Sequence, residues 1–124
     1  MDSKSVVMAF FKAVGEEGIS ALDRFATADF VWWNPSSGDM TVADVHGMID
    51  RMAGFLKSPV TMKLIDIISE DEKVAVEAEG YAELNNGKIY NNKYHFKFLL
   101  QGNKISIIKE YHNTYHAFQT FINE

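Results

Sequence analysis

The stretch KVAVEAEGYAELNNGKIYNNKYHFKFLLQGNKISIIKEYHNT, residues 73–114, decides the fold of this chain. Apolar and polar residues alternate along much of it, which is typical of β-strands whose two faces meet different surroundings. The turn-rich links Asn85-Asn86-Gly87 and Gln101-Gly102-Asn103 interrupt the alternation. Such compact links join antiparallel neighbours. The pattern therefore predicts a meander of long strands over residues 73–84, 88–100 and 104–114.

The part of the chain before residue 59 predicts helices. Val6, Phe10 and Val14 recur at helical spacing in a first helix that is capped by Ser3 and stopped by Gly15. Two further helices are expected, over residues 20–28 and, with Thr41 as the cap, from residue 42 to a point before Pro59.

The remaining segments complete the prediction of one α+β domain. Residues 30–33 predict a short extended segment, residues 34–38 a loop, and residues 60–69 a further long strand. Helices followed by a run of antiparallel strands are typical of α+β folds, in which helices pack on one face of a curved sheet. A chain of 124 residues fits a single domain over residues 1–124. The tail after residue 114 fits either a last strand or a short helix.

Composition and charge narrow the classes of partner. The net charge of −5 argues against nucleic acid and against an anionic membrane surface. The chain contains no cysteine, which favours a cytoplasmic protein, and no long apolar run or signal-like start predicts a membrane partner. Aromatic residues make up 13% of the chain, so a ring-lined pocket for a small molecule is plausible.

The strands present two chemically different faces, because side chains alternate along a strand. In the second long strand, Glu77, Glu79 and Glu83 share one face, and Val76 and Ala78 share the other. Glutamate is seldom buried without a partner, so alternation by itself predicts that these carboxylates face solvent.

Glu110 is the strongest candidate for chemistry. Its neighbours Ile107, Ile108 and Tyr111 are apolar or aromatic, and His112 falls on the same face of the strand. An acid group in apolar surroundings suits proton transfer. A purely structural carboxylate is an equally weighted alternative.

Three segments carry a family resemblance: Leu22-Asp23-Arg24-Phe25, then Asp29-Phe30-Val31-Trp32-Trp33-Asn34-Pro35, and Gly102-Asn103-Lys104-Ile105 followed by Glu110-Tyr111. Together with a helix centred on Gly47 they resemble the nuclear-transport-factor-2-like superfamily, in its SnoaL-like and ketosteroid-isomerase-like branch. The resemblance implies a cone, in which a curved, mostly antiparallel sheet wraps around three N-terminal helices and leaves an internal apolar pocket. It also implies a homodimer through the outer sheet face, with Tyr111, Ile105 and Ile107 as candidate contacts.

The resemblance also implies roles for particular residues. In SnoaL-like polyketide cyclases an acid on the last long strand moves a proton during an aldol closure, and this acid matches Glu110. The Asn-Pro of their first loop matches Asn34-Pro35. A His on the strand that precedes their acid matches Phe96 by position. The base of ketosteroid isomerases matches Asn34, whose amide cannot act as a base, so isomerase chemistry of that type is not expected.

Limonene epoxide hydrolases are similar as well. Their two Asp positions match Glu79 and Glu110, their Tyr and Asn match Trp32 and Asn34, and their central Arg matches Glu77. Two carboxylates without an Arg between them repel, so one of them is expected to hold a proton. Epoxide hydrolysis, which predicts a diol product, is kept as an alternative function.

In this family the sheet face that carries these residues lines the pocket. The resemblance therefore implies a site on that face. Catalytic roles are expected for Glu110, Glu79 and His112, and substrate contacts for Asn34, Trp32, Glu77, Tyr94 and Phe96. No metal or other cofactor is expected, and a metal site built from Glu77, Glu79, Glu110 and His112 is a minor alternative.

The expected function is cofactor-free acid–base chemistry of the isomerase, cyclase or hydratase type on an apolar, oxygen-bearing small molecule. The competing hypothesis is a module that binds a ligand or a partner in the same cavity without turnover.

Overall fold

The computed structural model of the protein describes residues 2–122 and shows a six-stranded sheet with helices packed on it. The helices are α1 (Ser3–Glu17), α2 (Leu22–Phe25), α3 (Val42–Ala53) and α4 (Thr114–Phe121), and a 3-10 turn at Ile19–Ala21 precedes α2. The strands are β1 (Ala26–Asn34), β2 (Gly38–Met40), β3 (Thr61–Glu70), β4 (Lys73–Glu83), β5 (Ile89–Gln101) and β6 (Lys104–His112). The predicted α+β class and the four long strands are confirmed.

The strand order across the sheet is β2-β1-β6-β5-β4-β3. Strands β3 to β6 form the predicted antiparallel meander, and β1 runs parallel to β6 on its other side. This arrangement gives β6 a neighbour on each side. As a result, Trp32 of β1 lies beside Ile108 of β6, although the two residues are far apart in sequence.

The first helix differs slightly from its prediction. Asp2, and not Ser3, is the cap, since its carboxylate accepts a hydrogen bond of 2.8 Å from the backbone N–H of Ser5. The helix also continues past Gly15 and ends at Glu17, where Gly18 adopts a φ of 81° that suits glycine.

The segments around β1 differ more. The second helix was expected to reach residue 28, but it ends at Phe25, because Ala26 is extended and pairs with Ile105 of β6. The short extended segment expected at residues 30–33 is part of the nine-residue strand β1. The short strand β2 was not predicted. The cap of α3 is confirmed, since Thr41 and Asp44 form a reciprocal capping box.

The main core lies between the helices and the inner face of the sheet. Phe10 packs edge-on against Phe98, with ring centres 6.0 Å apart, and Phe11 packs in the same way against Phe96 at 5.6 Å. The fully buried side chains of this core include Val6, Val7, Leu22, Val45, Val74, Val76, Phe98, Ile105 and Ile108. Aromatic rings therefore occupy much of the interior.

Ile105 was expected on the outer face as a dimer contact, and this prediction is wrong. A register shift between Leu99 and Leu100 in the β5–β6 ladder changes which side chains face inward, and Ile105 is 0% exposed. Tyr111 is on the outer face and is 46% exposed.

The C-terminal tail forms a helix. Asn113 caps α4 by accepting a hydrogen bond from the backbone N–H of His116, and Phe121 packs on the ring of Tyr90 with centres 4.9 Å apart. The last two residues of the tail lie outside the described part. Within residues 2–122, no helix has the length and apolar character that a membrane crossing requires.

Candidate functional site

A group of polar side chains lies on the inner face of the sheet and consists of Trp32, Tyr94, Glu110 and His112, which we call the inner cluster. The indole Nε1–H of Trp32 donates a hydrogen bond of 2.9 Å to Oε1 of Glu110. The other carboxylate oxygen, Oε2, lies 2.7 Å from Nδ1 of His112. The side chain of Glu110 is 13% exposed and that of His112 is 9% exposed. The carboxylate is thus largely withdrawn from water but still reachable.

Strand register brings the inner cluster together. In the antiparallel pair β5–β6, Phe96 lies opposite Glu110 and Tyr94 lies opposite His112. The parallel strand β1 places Trp32 beside Ile108, one step along the same face of β6 from Glu110. Three strands therefore contribute side chains to the inner cluster.

His112 contacts the carboxylate of Glu110 but forms no aligned hydrogen bond with it. The contact between Nδ1 and Glu110 is short, yet it lacks the alignment of a hydrogen bond, and Nδ1 has no hydrogen-bond partner within residues 2–122. The imidazole ring is tilted against the ring of Tyr94, with centres 5.5 Å apart. A buried nitrogen without a partner is costly, so this atom can gain from a new partner.

The phenol of Tyr94 extends the inner cluster along β5. Its hydroxyl is hydrogen-bonded to the hydroxyl of Tyr90, which also receives a hydrogen bond of 3.0 Å from the amide of Asn92. Burial raises the pKa of Tyr94 well above its ordinary value, and the nearby Tyr90 and Glu110 raise it further. Burial also raises the pKa of Tyr90. Both phenols therefore keep their protons, and their ability to donate, at neutral pH.

Aromatic packing holds Tyr94 in place. Its ring is stacked on Phe96, with centres 5.4 Å apart and planes 3° from parallel. On its other side the backbone of Gly80 comes so close that a Cβ atom there would lie 2.8 Å from Cε1 of Tyr94. Phe96 also meets the edge of Trp32, at 6.5 Å, and is buried. Phe96 therefore acts as packing that orients the polar members of the inner cluster.

Glu79 and Glu77 were expected beside Glu110, and this placement is wrong. Both lie on the outer face of β4, where Glu79 pairs with Lys93 of β5 and Glu77 pairs with His95. The inner face of β4 carries the buried Val76 and its apolar neighbours. Alternation alone had placed these glutamates correctly, because an unpartnered carboxylate is too costly to bury among apolar side chains.

Glu79 is held by an ordinary surface ion pair. Its carboxylate accepts hydrogen bonds from Asn91 at 3.0 Å and from Lys93 at 2.5 Å. These two donors hold the pKa of Glu79 below its usual value. Glu79 is therefore an ionised surface carboxylate at neutral pH, with no contact to Glu110.

Two chemical alternatives depended on the wrong placement. The paired carboxylates of the epoxide-hydrolase hypothesis are not formed, since Glu79 and Glu110 lie on opposite faces of the sheet. The metal hypothesis fails for the same reason, and no three His, Asp or Glu side chains within the described chain come together in a way that could hold a metal ion.

Asn34 is buried at the end of β1, and its side chain serves the loop that follows. Its Oδ1 accepts hydrogen bonds of 2.9 Å from the backbone N–H groups of Ser36 and Ser37. This is the turn chemistry that Asn favours. The structure thus assigns the carbonyl of Asn34 to the loop, and a substrate contact by Asn34 stays a prediction.

Tyr90 and Asn92 also belong to the polar network, although neither was predicted as a site residue. Both share the inner face of β5 with Tyr94, and both are buried. The signal was present, since Tyr90, Asn92 and Tyr94 alternate with exposed residues along one strand. An amide in a row of buried rings indicates a hydrogen-bonded network.

Two hollows of the surface lie away from the inner cluster. One of about 150 Å³ lies on the outer face beside Asp66, Glu77 and His95. A second of about 340 Å³ lies near the β3–β4 turn, beside Asp71 and Leu99. The deep pocket that the resemblance implies stays a prediction.

Comparison with known proteins identifies the family of this chain. A family model described as a SnoaL-like domain matches residues 7–108, which is most of the chain. No curated protein matches the chain significantly.

Several solved structures share the fold. An NTF2-like protein of unknown function from Burkholderia pseudomallei superposes with a TM-score of 0.85 at 12% identity, over 98% of this chain and 99% of that one. An epoxide hydrolase of the limonene-epoxide-hydrolase-like type from Mycobacterium tuberculosis gives 0.76 at 17% identity, over 97% and 89%. A candidate SnoaL-like polyketide cyclase from a Jannaschia species gives 0.78 at 7% identity, over 97% and 94%. Identities this low show the shared fold alone.

Proposed function

The chain belongs to the SnoaL-like domain family, and we propose that it is a cofactor-free acid–base enzyme acting on an apolar small molecule that carries a carbonyl oxygen. The observation that carries this proposal is the largely buried carboxylate of Glu110, held between the indole of Trp32 and the imidazole of His112. A carboxylate so placed is a candidate general base or acid.

Glu110 is the proposed base, and its two carboxylate oxygens have different surroundings. The bond from Trp32 fixes Oε1, and this leaves Oε2 on the side of His112 and Tyr94. Because the bond comes from a neutral indole, it orients the carboxylate without adding a cation. Oε2 is therefore the oxygen that takes and returns the substrate proton.

The proposed reaction also requires donors that stabilise the carbonyl oxygen of the substrate. A carbon next to a carbonyl becomes acidic only if the oxygen is stabilised as its negative charge develops. Tyr94 lies opposite His112 across β5 and β6, with ring centres 5.5 Å apart, and we assign the hydroxyl of Tyr94 and a ring nitrogen of His112 as the donors to this oxygen. In the step, the C–H bond breaks, the proton moves to Glu110, and the electron pair forms an enolate that these donors hold. Return of the proton to the same or another carbon completes an isomerisation, and attack of the enolate on a second carbonyl completes a cyclisation.

The residues around the inner cluster indicate the type of ligand. The surroundings of the inner cluster are aromatic, with Phe96 stacked on Tyr94 and the edge of Trp32 beside it. Rings of this kind favour an apolar, planar substrate whose oxygen is its main polar group. The ligand approaches where Glu110 and His112 are exposed to solvent.

Proton exchange with solvent tests this function directly. We would incubate the protein with 1-indanone, an apolar aryl ketone, in D2O and follow loss of the C2 proton signal by NMR. The E110Q variant should lose the protein-catalysed exchange by about 100-fold or more, since the amide cannot take the proton. The E83Q variant, which changes an exposed glutamate on the outer face of β4, should match the wild type.

The competing hypothesis is a module that binds ligands without turnover. It predicts no exchange above the buffer rate in the wild type, together with 1-indanone affinity that is equal in E110Q and wild type. That result would overturn the enzyme proposal. The homodimer and the cytoplasmic location also stay predictions, and Tyr111 is still available as a dimer contact on the outer face.

A further inference from the structure

The orientation of the Asn92 amide is determined by the backbone. Asn92 is 1% exposed and lies between Tyr90 and Tyr94 on the inner face of β5. Its Oδ1 accepts a hydrogen bond of 3.0 Å from the backbone N–H of Asn113. A backbone N–H can only donate, so the oxygen of the amide must face Asn113. The Nδ2 group donates to the carbonyl of Asn113 and to the hydroxyl of Tyr90, each at 3.0 Å.

This fixed amide sets the direction of the next hydrogen bond. The oxygen of Tyr90 receives a proton from Asn92, and the hydroxyl proton of Tyr90 needs an acceptor of its own. Tyr90 is 3% exposed, and the remaining partner of its hydroxyl is the oxygen of Tyr94. Donation therefore runs from Asn92 to Tyr90 and from Tyr90 to Tyr94.

This direction of donation determines which hydrogen bonds the hydroxyl of Tyr94 can make. Its oxygen accepts from Tyr90, and Tyr90 is its single hydrogen-bond partner within residues 2–122. The hydroxyl proton of Tyr94 is thus left without an acceptor. Tyr94 lies opposite His112 on the neighbouring strand, with ring centres 5.5 Å apart, and His112 contacts the proposed base Glu110.

We propose that Asn92 is a positioning residue that, by donating to Tyr90, keeps the hydroxyl proton of Tyr94 free to bind the carbonyl oxygen of the substrate. This inference rests on the proposed function for its chemistry and names the oxygen-binding half of the same site. A chain of donors in one direction strengthens its last member. Tyr94 is accordingly the principal donor to the enolate oxygen, and Asn92 acts through it without touching the substrate.

The N92D variant tests the direction of the chain. An ionised carboxylate at this position still accepts from the backbone N–H of Asn113 but cannot donate to Tyr90. Tyr90 should then donate to residue 92, and Tyr94 should donate to Tyr90, which removes the free proton. The N86D variant is the matched control, because Asn86 lies in the exposed β4–β5 turn and uses its Oδ1 as an acceptor from Lys88.

The first measurement is a double-variant cycle on deuterium exchange into 1-indanone. We expect N92D and Y94F each to lower kcat by about tenfold or more, with KM within twofold of wild type, since one transition-state hydrogen bond is lost in both. The N92D/Y94F double variant should be no slower than Y94F alone. Multiplied effects in the double variant, or a loss confined to KM, would overturn the inference.

The second measurement does not require turnover. The infrared carbonyl stretch of bound 1-indanone, labelled with carbon-13 at the carbonyl, should move to lower frequency in wild type and N86D. The shift should be lost in both N92D and Y94F. A shifted carbonyl without deuterium exchange would refute the proposed enzyme function and leave the positioning role intact. An unshifted carbonyl in the wild type would overturn the positioning role itself.

The Y90F variant keeps the test decisive if N92D fails to fold. It removes the proton that Tyr90 donates to Tyr94 and leaves the ring packing against Phe121 in place. We expect exchange to fall severalfold in Y90F, and to fall no further when Y90F is added to Y94F. Equal losses from Y90F in both backgrounds would show that Tyr90 acts by packing alone and would overturn the inference.

Discussion

Trp32 and Trp33 are adjacent residues of the same type on β1, and they have opposite surroundings. Trp32 faces inward, where its indole donates to Glu110 and its ring meets the edge of Phe96. Trp33 faces outward, where its ring is tilted against Tyr111 at 5.2 Å and the ammonium group of Lys109 lies 5.9 Å above it. One step along the strand separates the two environments. The face of the sheet, and not the residue type, therefore decides which side chains can take part in chemistry.

The carboxylates follow the same division. Glu110 on the inner face contacts an indole and an imidazole among aromatic rings, whereas Glu79 on the outer face is paired with Lys93 in contact with water. A surface pair of that kind contributes little to stability, because water screens both charges. The inner face therefore holds both the core and the candidate site, and the outer face tolerates change.

The largest expected effect comes from the core of the inner face. Phe98 is 0% exposed and Ile68, on the opposite face of the meander, is 66% exposed. We expect F98A to lower the free energy of unfolding by about 3–5 kcal/mol, because it leaves a cavity. I68A should change it by about 0.5 kcal/mol or less. Urea denaturation of both variants measures the contrast, and equal losses would mean that the two faces are not different.

A smaller loss is expected where the backbone of β4 approaches Tyr94. In G80A the new Cβ lies 2.8 Å from Cε1 of Tyr94, so the ring has to move. We expect a loss of about 1–3 kcal/mol in the free energy of unfolding. As a control, G15A adds a Cβ that meets nothing within 4 Å on α1. G15A should stabilise the protein by up to about 1 kcal/mol. Thermal unfolding of G80A at the wild-type temperature would contradict the close packing of Tyr94.

Substitutions of Trp32 and Trp33 should differ in their effect on the free energy of unfolding. W32F removes the donor to Glu110, and W33F removes no hydrogen bond that holds a carboxylate. We expect W32F to cost about 1–2 kcal/mol, because a partly buried carboxylate loses a partner. W33F should cost less than half of that amount. Guanidinium denaturation followed by far-UV circular dichroism measures both variants, and a larger loss in W33F would reverse the comparison.

An alkaline loss of stability is expected from the buried phenols. The folded-state pKa of Tyr94 is raised above the ordinary value of 10.0, so the folded state holds this proton more tightly than the unfolded chain does. The resulting stabilisation is complete below about pH 10 and falls as the pH rises above that value. Urea denaturation between pH 8 and 11 should show a steeper decline in wild type than in Y94F. Parallel curves would contradict burial of the phenol.

The smallest effect is expected on the outer face at acid pH. Asn91 and Lys93 lower the pKa of Glu79 in the folded state, so the stabilisation is present above its unfolded pKa and is lost as the pH falls through the folded value. The E79Q variant should therefore lose slightly less stability than wild type between pH 5 and 3. Deuterium exchange into 1-indanone should be the same in both at pH 7. Reduced exchange in E79Q would return Glu79 to the candidate site.

Much of the fold could be predicted from local patterns. The alternation of residues 73–114 specifies strands because one face must be buried, and the turn residues between the strands fix where each one ends. The start of β1 at Ala26 could not be predicted, because its pairing with Ile105 depends on a contact distant in sequence. The inward turn of Ile105 depends on an irregularity in the β5–β6 ladder, which leaves no local signal.

The candidate site was predicted in part. Trp32, Tyr94, Phe96, Glu110 and His112 were expected in one site, and the structure brings them together. Glu77 and Glu79 were placed with them on the strength of the resemblance, against the simpler argument from burial cost. Alternation together with the burial cost of a carboxylate predicts the solvent face for both, and the cross-strand register agrees with it. Tyr90 and Asn92 were missed because their role appears only when hydrogen-bond donors and acceptors are matched.

The two indole N–H signals of the protein test the central claim most directly, since the chain has two tryptophans, one on each face of β1. We would titrate 1-indanone into ¹⁵N-labelled protein and follow both signals by NMR, with W33F used to assign them. Binding at the inner cluster should shift the indole signal of Trp32 in a saturable way and leave that of Trp33 unchanged, and E110Q should move the free-state Trp32 signal. A titration that shifts Trp33 alone, or neither signal, would contradict a ligand site at Glu110.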